Sequence, residues 1–202
     1  MSSLGKPQLK YNFSKLSHLS SGQIDELIIL HKKSIPNSFF SIQREDICKD
    51  IYMSIASNKN LHNIVLISNN RPVGLFVGRI GDMRYKNLLS FRSYFSWLKN
   101  TISRRKFKFF FDFFNLTVLT LIKSSSKKKY WIELIYIEKS FQKQGIGSIF
   151  LRKYLKILPK GTKVWVDTEQ NNNIGIRYYT KNNFMKKQNK FLTSILFVYE
   201  KI

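Results

Sequence analysis

The chain has 202 residues, of which 43% are hydrophobic and 15% aromatic. This composition excludes general disorder, because that much apolar surface can offset the entropy lost on folding. The single cysteine, Cys48, excludes an internal disulfide and is expected to be a small buried hydrophobic residue. The absence of Cys and His clusters excludes a structural zinc site. We therefore expect one domain over residues 1–202 with no metal.

The charge is strongly positive, with 35 Lys and Arg against 12 Asp and Glu and a net charge of +23. Such a charge attracts polyanions. It is spread along the whole chain, which favours solvated surface charge, so no specific nucleic-acid partner is predicted. Residues Met1 to Lys6 are not followed by an apolar run, so we expect neither a signal peptide nor an N-terminal membrane anchor and a cytoplasmic location.

The N-terminal part of the chain predicts a strand, two helices and a hairpin. Residues 9–13 alternate as in a short strand, and residues 23–33 carry apolar side chains at helical spacing after a capping Ser21. Pro36 breaks this helix, and a second helical pattern covers residues 41–57. Two apolar runs, 64–67 and 73–77, are joined by turn-forming residues and predict an antiparallel pair.

The C-terminal part alternates between strands and helices. Strands are predicted over residues 131–137, 163–167 and 195–199, and helices over 146–158 and 173–181. Together with the first part, this order predicts a mixed α/β fold.

Residues 83–129 do not fit this alternation and are interpreted as an insertion before the strand at 131–137. The segment holds twelve Lys and Arg, one acid (Asp112) and eleven aromatic residues. Aromatic and aliphatic residues recur at helical spacing on either side of Arg104 and Arg105, which predicts two amphipathic helices. A helical hairpin that covers the sheet is one interpretation. Contact with an anionic ligand, a membrane surface or a partner protein is the other.

The sharpest local motif follows the strand that ends at Ile137. The sequence Gln142-Lys-Gln-Gly-Ile-Gly147 predicts a glycine turn that opens into a helix. Backbone N–H groups at a helix start carry the positive end of the helix dipole and bind phosphate, and the two glycines leave room for its oxygens. The motif lacks the Gly-Lys-Ser/Thr of a Walker loop and the third glycine of a dinucleotide fingerprint.

The run from Ile137 to Gly147 resembles the acetyl-CoA signature of the GNAT acetyltransferases, Gln/Arg-x-x-Gly-x-Gly/Ala. A second element, Asn172 followed by Tyr178-Tyr179 and Phe184, is similar to the later strand and helix unit of that family. The chain departs from the family pattern at three positions: Gln142 replaces a more frequent arginine, Lys139 a common proline and Asn183 a glycine. Asparagine tolerates the left-handed backbone that glycine would adopt.

The resemblance implies a mostly antiparallel sheet flanked by helices, with coenzyme A in a gap between the strands at 131–137 and 163–167. It implies that the backbone of the first strand pairs with the pantetheine arm and that the following turn holds the diphosphate. The residues implied to bind the cofactor acetyl-CoA are Ile135, Tyr136, Ile137, Gln142, Lys143, Gln144, Gly145, Ile146, Gly147, Ser148 and Asn172.

The resemblance also places the family's leaving-group tyrosine at Tyr179, where a phenol donates its proton to the departing thiolate. Plain core packing is the alternative for this side chain. The attacking amine must lose a proton, and two carboxylates are candidate bases. Glu133 lies on an apolar strand, where alternation predicts that it shares a face with Ile135 and Ile137, and Asp167 ends the neighbouring strand. Either carboxylate can instead be a structural ion-pair partner.

The sequence constrains the identity of the acceptor amine less than that of the cofactor. Residues 31–40, together with the long insertion, resemble acetyltransferases that act on amino-sugars in surface-polysaccharide synthesis, which implies a small-molecule amine such as a nucleotide-linked sugar. Acetylation of a protein N-terminus is a second hypothesis. A basic binding module that has lost its chemistry is a third. The sequence does not determine the oligomeric state.

Overall fold

A single sheet organises the part of the chain that the structure describes. The computed structural model describes residues 10–36, 38, 40, 41, 43–81, 130–187 and 194–201. Its elements are β1 (Asn12–Ser14), α1 (Ser21–Ser34), α2 (Glu45–Ser57), β2 (Leu61–Ser68), β3 (Arg71–Arg79), β4 (Tyr130–Ile137), α3 (Ile146–Lys156), β5 (Lys163–Glu169), α4 (Asn173–Lys181), β6 (Met185–Lys187) and β7 (Ser194–Glu200).

The strand order in the sheet is β1-β2-β3-β4-β5-β7-β6. Every neighbouring pair is antiparallel except β4 and β5, which run parallel. A parallel pair needs a crossover, and α3 provides it between these two strands. The predicted mixed, mostly antiparallel sheet flanked by helices is therefore confirmed.

One face of the sheet packs against α1 and α2. Helix α1 begins with a capping box in which Ser20 accepts a hydrogen bond from the Gln23 N–H and the Gln23 side chain accepts one from the Ser20 N–H. The cap is thus Ser20 and not the predicted Ser21. The buried side chains of this face form the α1–α2 core: Leu16, Ile24, Leu27, Ile28, Leu30, Cys48, Tyr52, Ile55, Leu61, Val65, Ile67, Leu75, Val77 and Tyr136.

Helix α2 begins at Glu45, four residues later than predicted. The Ser41 Oγ donates to the Ile35 carbonyl at 2.5 Å, and the Ser41 N–H donates to the Ser38 carbonyl at 3.0 Å. Short hydroxyl side chains that bond to nearby backbone compete with helical hydrogen bonds. The helical pattern around residue 41 is therefore replaced by turns.

The other face packs against α3 and α4. Its buried side chains form the α3 core: Ile64, Leu66, Val73, Phe76, Ile132, Phe141, Ile146, Phe150, Leu151, Tyr154, Leu158, Val164, Val166, Tyr179, Phe184 and Phe197. Helix α3 ends at Lys156, two residues before its predicted end. Ile157, which lies within the predicted helix, follows its observed end and is 47% exposed. Lys201 closes the helix, since its Nζ donates to the Leu155 carbonyl at 2.8 Å.

Strand β6 was not predicted from the sequence. Its three residues, Met185 to Lys187, are all exposed, so the strand carries no hydrophobic alternation. It forms through pairing with β7 at the sheet edge. The predicted insertion at 83–129 lies outside the described residues.

Candidate active site

Strands β4 and β5 separate soon after they meet. They pair only through Tyr130 with Val164 and Trp131 with Trp165, within the described chain, although β4 continues to Ile137. On its other side β4 stays paired with β3 as far as Ile137. Beyond Trp131, the edge of β4 that faces β5 is therefore not closed by a ladder of described residues. The gap that the family resemblance implies is present.

Glu133 is the extra residue of a β-bulge in β4. Gly78 faces Ile132 and Val77 faces Leu134, so Glu133 is not paired across the ladder with β3. As a result, Ile132 packs in the α3 core and Leu134 against the α1–α2 core, on opposite faces despite a spacing of two residues. Ile132 therefore shares a face with Ile135 and Ile137. The bulge at Glu133 interrupts the strict alternation from which the face of Glu133 was predicted.

The turn after β4 is held by its own side chains. The Gln142 Nε2 donates to the Ile137 carbonyl at 2.7 Å, and the Gln144 Nε2 donates to the Ser140 carbonyl at 2.9 Å. Lys143 and Gly145 have left-handed backbones, with φ of 62° and 79°. The two glutamine amides thus brace the turn that leads into α3.

The N-terminus of helix α3 has the features of an anion-binding site. Gly145 is the N-cap, no described side chain caps it, and the first turn carries no acidic residue. The first N–H groups of a helix have no acceptor within it, and the dipole adds partial positive charge there. A Cβ built on Gly145 would meet no atom within 4 Å, so the approach to these amides is open among the described residues. The geometry fits the diphosphate of coenzyme A.

Tyr178 reaches across from α4 to the same helix start. Its hydroxyl donates to the Gly147 carbonyl at 2.7 Å. A Cβ on Gly147 would lie 2.9 Å from the Tyr178 Cε2, closer than carbon atoms pack. Position 147 therefore requires glycine, because a larger residue would overlap the Tyr178 ring.

Glu133 forms an ion pair with Arg79, which sequence reasoning missed. The Arg79 Nε lies 3.6 Å from the Glu133 Oε1, and the side chains are 1% and 13% exposed. The guanidinium also lies over the Trp131 ring, 5.8 Å from its centre. A buried arginine orients the carboxylate beside the gap between the strands. An arginine that closes an otherwise apolar strand was the signal available in the sequence.

Asp167 is held by a tryptophan. The Trp131 indole N–H donates to the Asp167 Oδ1 at 3.1 Å, and the Trp131 ring stacks on Trp165 with their centres 6.4 Å apart. Trp131 thus connects the two candidate bases. Its ring contacts Arg79, the ion-pair partner of Glu133, and its indole N–H donates to Asp167.

Tyr179 lies on the buried face of α4 and is 5% exposed. Its ring packs against Phe184 and Phe197, with centres 5.5 Å and 5.7 Å away. The core packing that was weighed for this residue is therefore present. Its role as a proton donor stays a prediction.

The remaining motif residues shape the ends of α4. Asn172 is its N-cap, because the Asn172 Oδ1 accepts from the Gly175 N–H at 2.9 Å and its Nδ2 donates to the Thr168 Oγ1 at 2.9 Å. Asn183 has a φ of 64°, as expected for an asparagine that replaces glycine. A cofactor contact of Asn172 stays a prediction.

A buried hydrogen-bonded chain joins α1, α2 and β4. The Tyr136 hydroxyl donates to the Leu27 carbonyl at 3.1 Å, the hydroxyls of Tyr52 and Tyr136 lie 2.8 Å apart, and the His31 Nδ1 is 2.9 Å from the Tyr52 oxygen. A carbonyl only accepts, so Tyr52 donates to Tyr136 and the His31 Nδ1 carries the proton. His31 is thus a packed residue, 2% exposed, and burial lowers its pKa to about 3.

Two general features of the described residues bear on function. Within the described ranges, His, Cys, Asp and Glu nowhere form a group of three that could hold a metal ion. Among the described helices, none combines the length and the apolar character that a bilayer crossing requires.

The comparisons with known proteins agree with this geometry. The model of the acetyltransferase (GNAT) family matches residues 30–184. Similar solved structures include an acetyltransferase from Thermus thermophilus, with 12% identity, a TM-score of 0.59 and coverage of 95% of this chain and 97% of that one.

A second is the PaiA N-acetyltransferase of Thermoplasma acidophilum in complex with coenzyme A, with 13% identity, a TM-score of 0.57 and coverage of 96% and 100%. A third is NAA60 of Arabidopsis thaliana in complex with a bisubstrate analogue, with 13% identity, a TM-score of 0.56 and coverage of 94% and 97%. No curated protein sequence matches the chain. At these identities the solved structures show the fold, and the family model covers more than half of the chain. The chain belongs to the GNAT family of acetyltransferases.

Proposed function

We propose that the chain transfers an acetyl group from acetyl-CoA to a primary amine. The observation that carries the proposal is the gap between β4 and β5, which opens beside the uncapped start of α3. When bound, acetyl-CoA supplies a thioester whose carbonyl carbon an amine attacks as the carbon–sulfur bond breaks. The edge of β4 from Ile135 to Ile137 holds the pantetheine arm, and the amides from Lys143 to Ser148 hold the diphosphate.

In this proposal Glu133 takes the proton of the acceptor ammonium. An ammonium has no lone pair, so the amine must lose a proton before or during attack. Arg79 fixes the carboxylate through the 3.6 Å ion pair, and Glu133 belongs to the part of β4 beyond Trp131, where β4 no longer pairs with β5 in the described chain. Tyr179 returns a proton to the thiolate, from a ring held rigid by Phe184 and Phe197.

The proposed acceptor is an amino-sugar or a nucleotide-linked sugar. The basic and aromatic insertion predicted at 83–129 follows β3, which ends at Arg79, and precedes β4, which begins at Tyr130. Arg79 is the ion-pair partner of Glu133, so the insertion is joined to the two strands that carry the proposed base and its partner, which supports a role for it in selecting the acceptor. A protein N-terminus is the second candidate, because another similar solved structure, with a TM-score of 0.52, is the ribosomal-protein-S18-alanine N-acetyltransferase of Escherichia coli.

The cofactor assignment is tested by Gly145→Glu, with Gly161→Glu as the matched control. Both glycines have left-handed backbones, with φ of 79° and 71°, and open space at the Cβ position, so both variants carry the same backbone strain. Only Gly145→Glu places a carboxylate at the start of α3. We expect calorimetry with coenzyme A to show binding for the wild type and Gly161→Glu and none for Gly145→Glu. Equal binding by all three would contradict the assignment.

The acceptor and the base are tested by release of coenzyme A over a panel of amino-sugars, nucleotide-linked amino-sugars and peptides. We expect release with a sugar amine, and release with peptides alone would favour the second candidate. Glu133→Gln is expected to lower kcat by about 100-fold or more. Asp167→Asn keeps an oxygen that accepts from the Trp131 indole and should lower kcat far less. The reverse order would make Asp167 the base.

A further inference from the structure

Tyr178 connects α4 to the first turn of α3 and has no part in the function proposed above. Its hydroxyl donates to the Gly147 carbonyl at 2.7 Å, and its ring occupies the space that a side chain at 147 would need. Burial raises the pKa of Tyr178, so the hydroxyl keeps its proton and remains a donor. The contact is therefore fixed in both direction and position.

This hydrogen bond also affects the backbone N–H of Ser148, which the Tyr178 hydroxyl does not bind. The Gly147 carbonyl and the Ser148 N–H belong to the same peptide group. Ser148 is the third residue of α3, so its N–H has no acceptor within the helix. A hydrogen bond to the carbonyl oxygen of a peptide polarises the group and makes its N–H a stronger donor.

We infer that Tyr178 is a positioning residue for the coenzyme A diphosphate: it fixes and polarises the peptide between Gly147 and Ser148. The inference rests on the proposed function. Tyr178 and Tyr179 then have separate tasks, because the Tyr179 ring packs on Phe184 and Phe197 in the α3 core, whereas the Tyr178 hydroxyl binds the first turn of α3. Tyr178 acts on cofactor affinity, and Tyr179 acts on the proton of the leaving group.

The test compares coenzyme A binding by the wild type, Tyr178→Phe and Tyr154→Phe in calorimetry. Tyr154 is a matched control, because it is fully buried and its hydroxyl also donates to a backbone carbonyl, that of Arg79. It lies near the C-terminal end of α3, far from the start of the helix. We expect Tyr178→Phe to raise the Kd for coenzyme A by roughly three- to tenfold, as for one lost hydrogen bond that acts on a charged ligand. Tyr154→Phe should leave this Kd within about twofold of the wild type.

A second ligand separates positioning from general damage to the fold. Pantetheine has the thiol arm without the diphosphate, so its Kd should be the same for the wild type and Tyr178→Phe. An equal rise for both ligands, or an unchanged Kd for coenzyme A, would overturn the inference.

Gly147→Ala is a second variant for the same test, because its methyl group would displace the Tyr178 ring. It should also weaken binding of coenzyme A and leave pantetheine unaffected. If the wild type gives no heat with coenzyme A, the proposed function fails and the inference falls with it. Binding by the wild type with no change in Tyr178→Phe overturns the inference alone.

Discussion

Acidification should lower the free energy of unfolding, because His31 is buried in its neutral form. The imidazole lies between the rings of Phe40 and Tyr136, with centres 4.2 Å and 4.9 Å away. Its Nδ1 proton is bound to Tyr52, and its Nε2 is buried without a hydrogen-bond partner among the described residues. Protonation would place a charge on Nε2 in this apolar site, which is why burial lowers the pKa of His31 from 6.5 to about 3.

The sign and size of the effect follow from this difference in pKa. The unfolded chain binds a proton at His31 below pH 6.5, whereas the folded chain stays neutral until about pH 3. Stability is therefore full above pH 6.5 and falls as the pH drops toward 3. Within this window the free energy of unfolding falls by about 1.4 kcal/mol for each pH unit, so it falls by about 2 kcal/mol between pH 7 and pH 5. This figure holds for any folded pKa well below 5.

Urea unfolding of the wild type and His31→Asn at pH 7 and pH 5 measures the effect. Asparagine keeps an N–H that can donate to Tyr52 and does not titrate. We expect the variant to be less stable at pH 7, because it loses the stacked ring, and to lose about 2 kcal/mol less than the wild type on acidification. His18→Asn, which removes an exposed histidine, should behave as the wild type. The same pH dependence in the wild type and His31→Asn would refute the reasoning.

Two further predictions concern packing and helix capping. Gly78→Ala should lower the free energy of unfolding by about 1 to 3 kcal/mol in denaturant titrations, because a Cβ there would overlap the buried Tyr154 ring. Combining it with Tyr154→Ala should remove most of that penalty, and an unchanged penalty would show that the ring is not the cause. Lys201→Met should cost about 1 kcal/mol, because the ammonium caps the carbonyls of Leu155 and Leu158 at the end of α3. An equally stable variant would mean that water replaces the ammonium.

Much of the fold could be predicted because its signals are local. Periodicity located α1, α3 and α4 to within a few residues, and the run from Gln142 to Gly147 located the turn at the start of α3. The failures have local causes as well. Serine side chains that bond to backbone delay α2, and β6 has no apolar pattern because all three of its residues are exposed.

The candidate site depended more on contacts between distant parts of the chain. The pair of Arg79 and Glu133 joins two strands separated by a long segment, and the bulge that displaces Glu133 is a property of the register between β3 and β4. Strict alternation cannot reveal a bulge. The chain of His31, Tyr52 and Tyr136 likewise joins three elements, and no spacing in the sequence indicates it.

The sequence by itself determined the order of strands and helices, the glycine turn at the start of α3 and the resemblance to the family, because each depends on residues close together along the chain. Only the tertiary structure decided that β4 and β5 separate after Trp131, that Arg79 holds Glu133, and that Tyr178 reaches Gly147. The physical reason is that strand divergence, ion pairing and side-chain contact depend on which distant residues packing brings together.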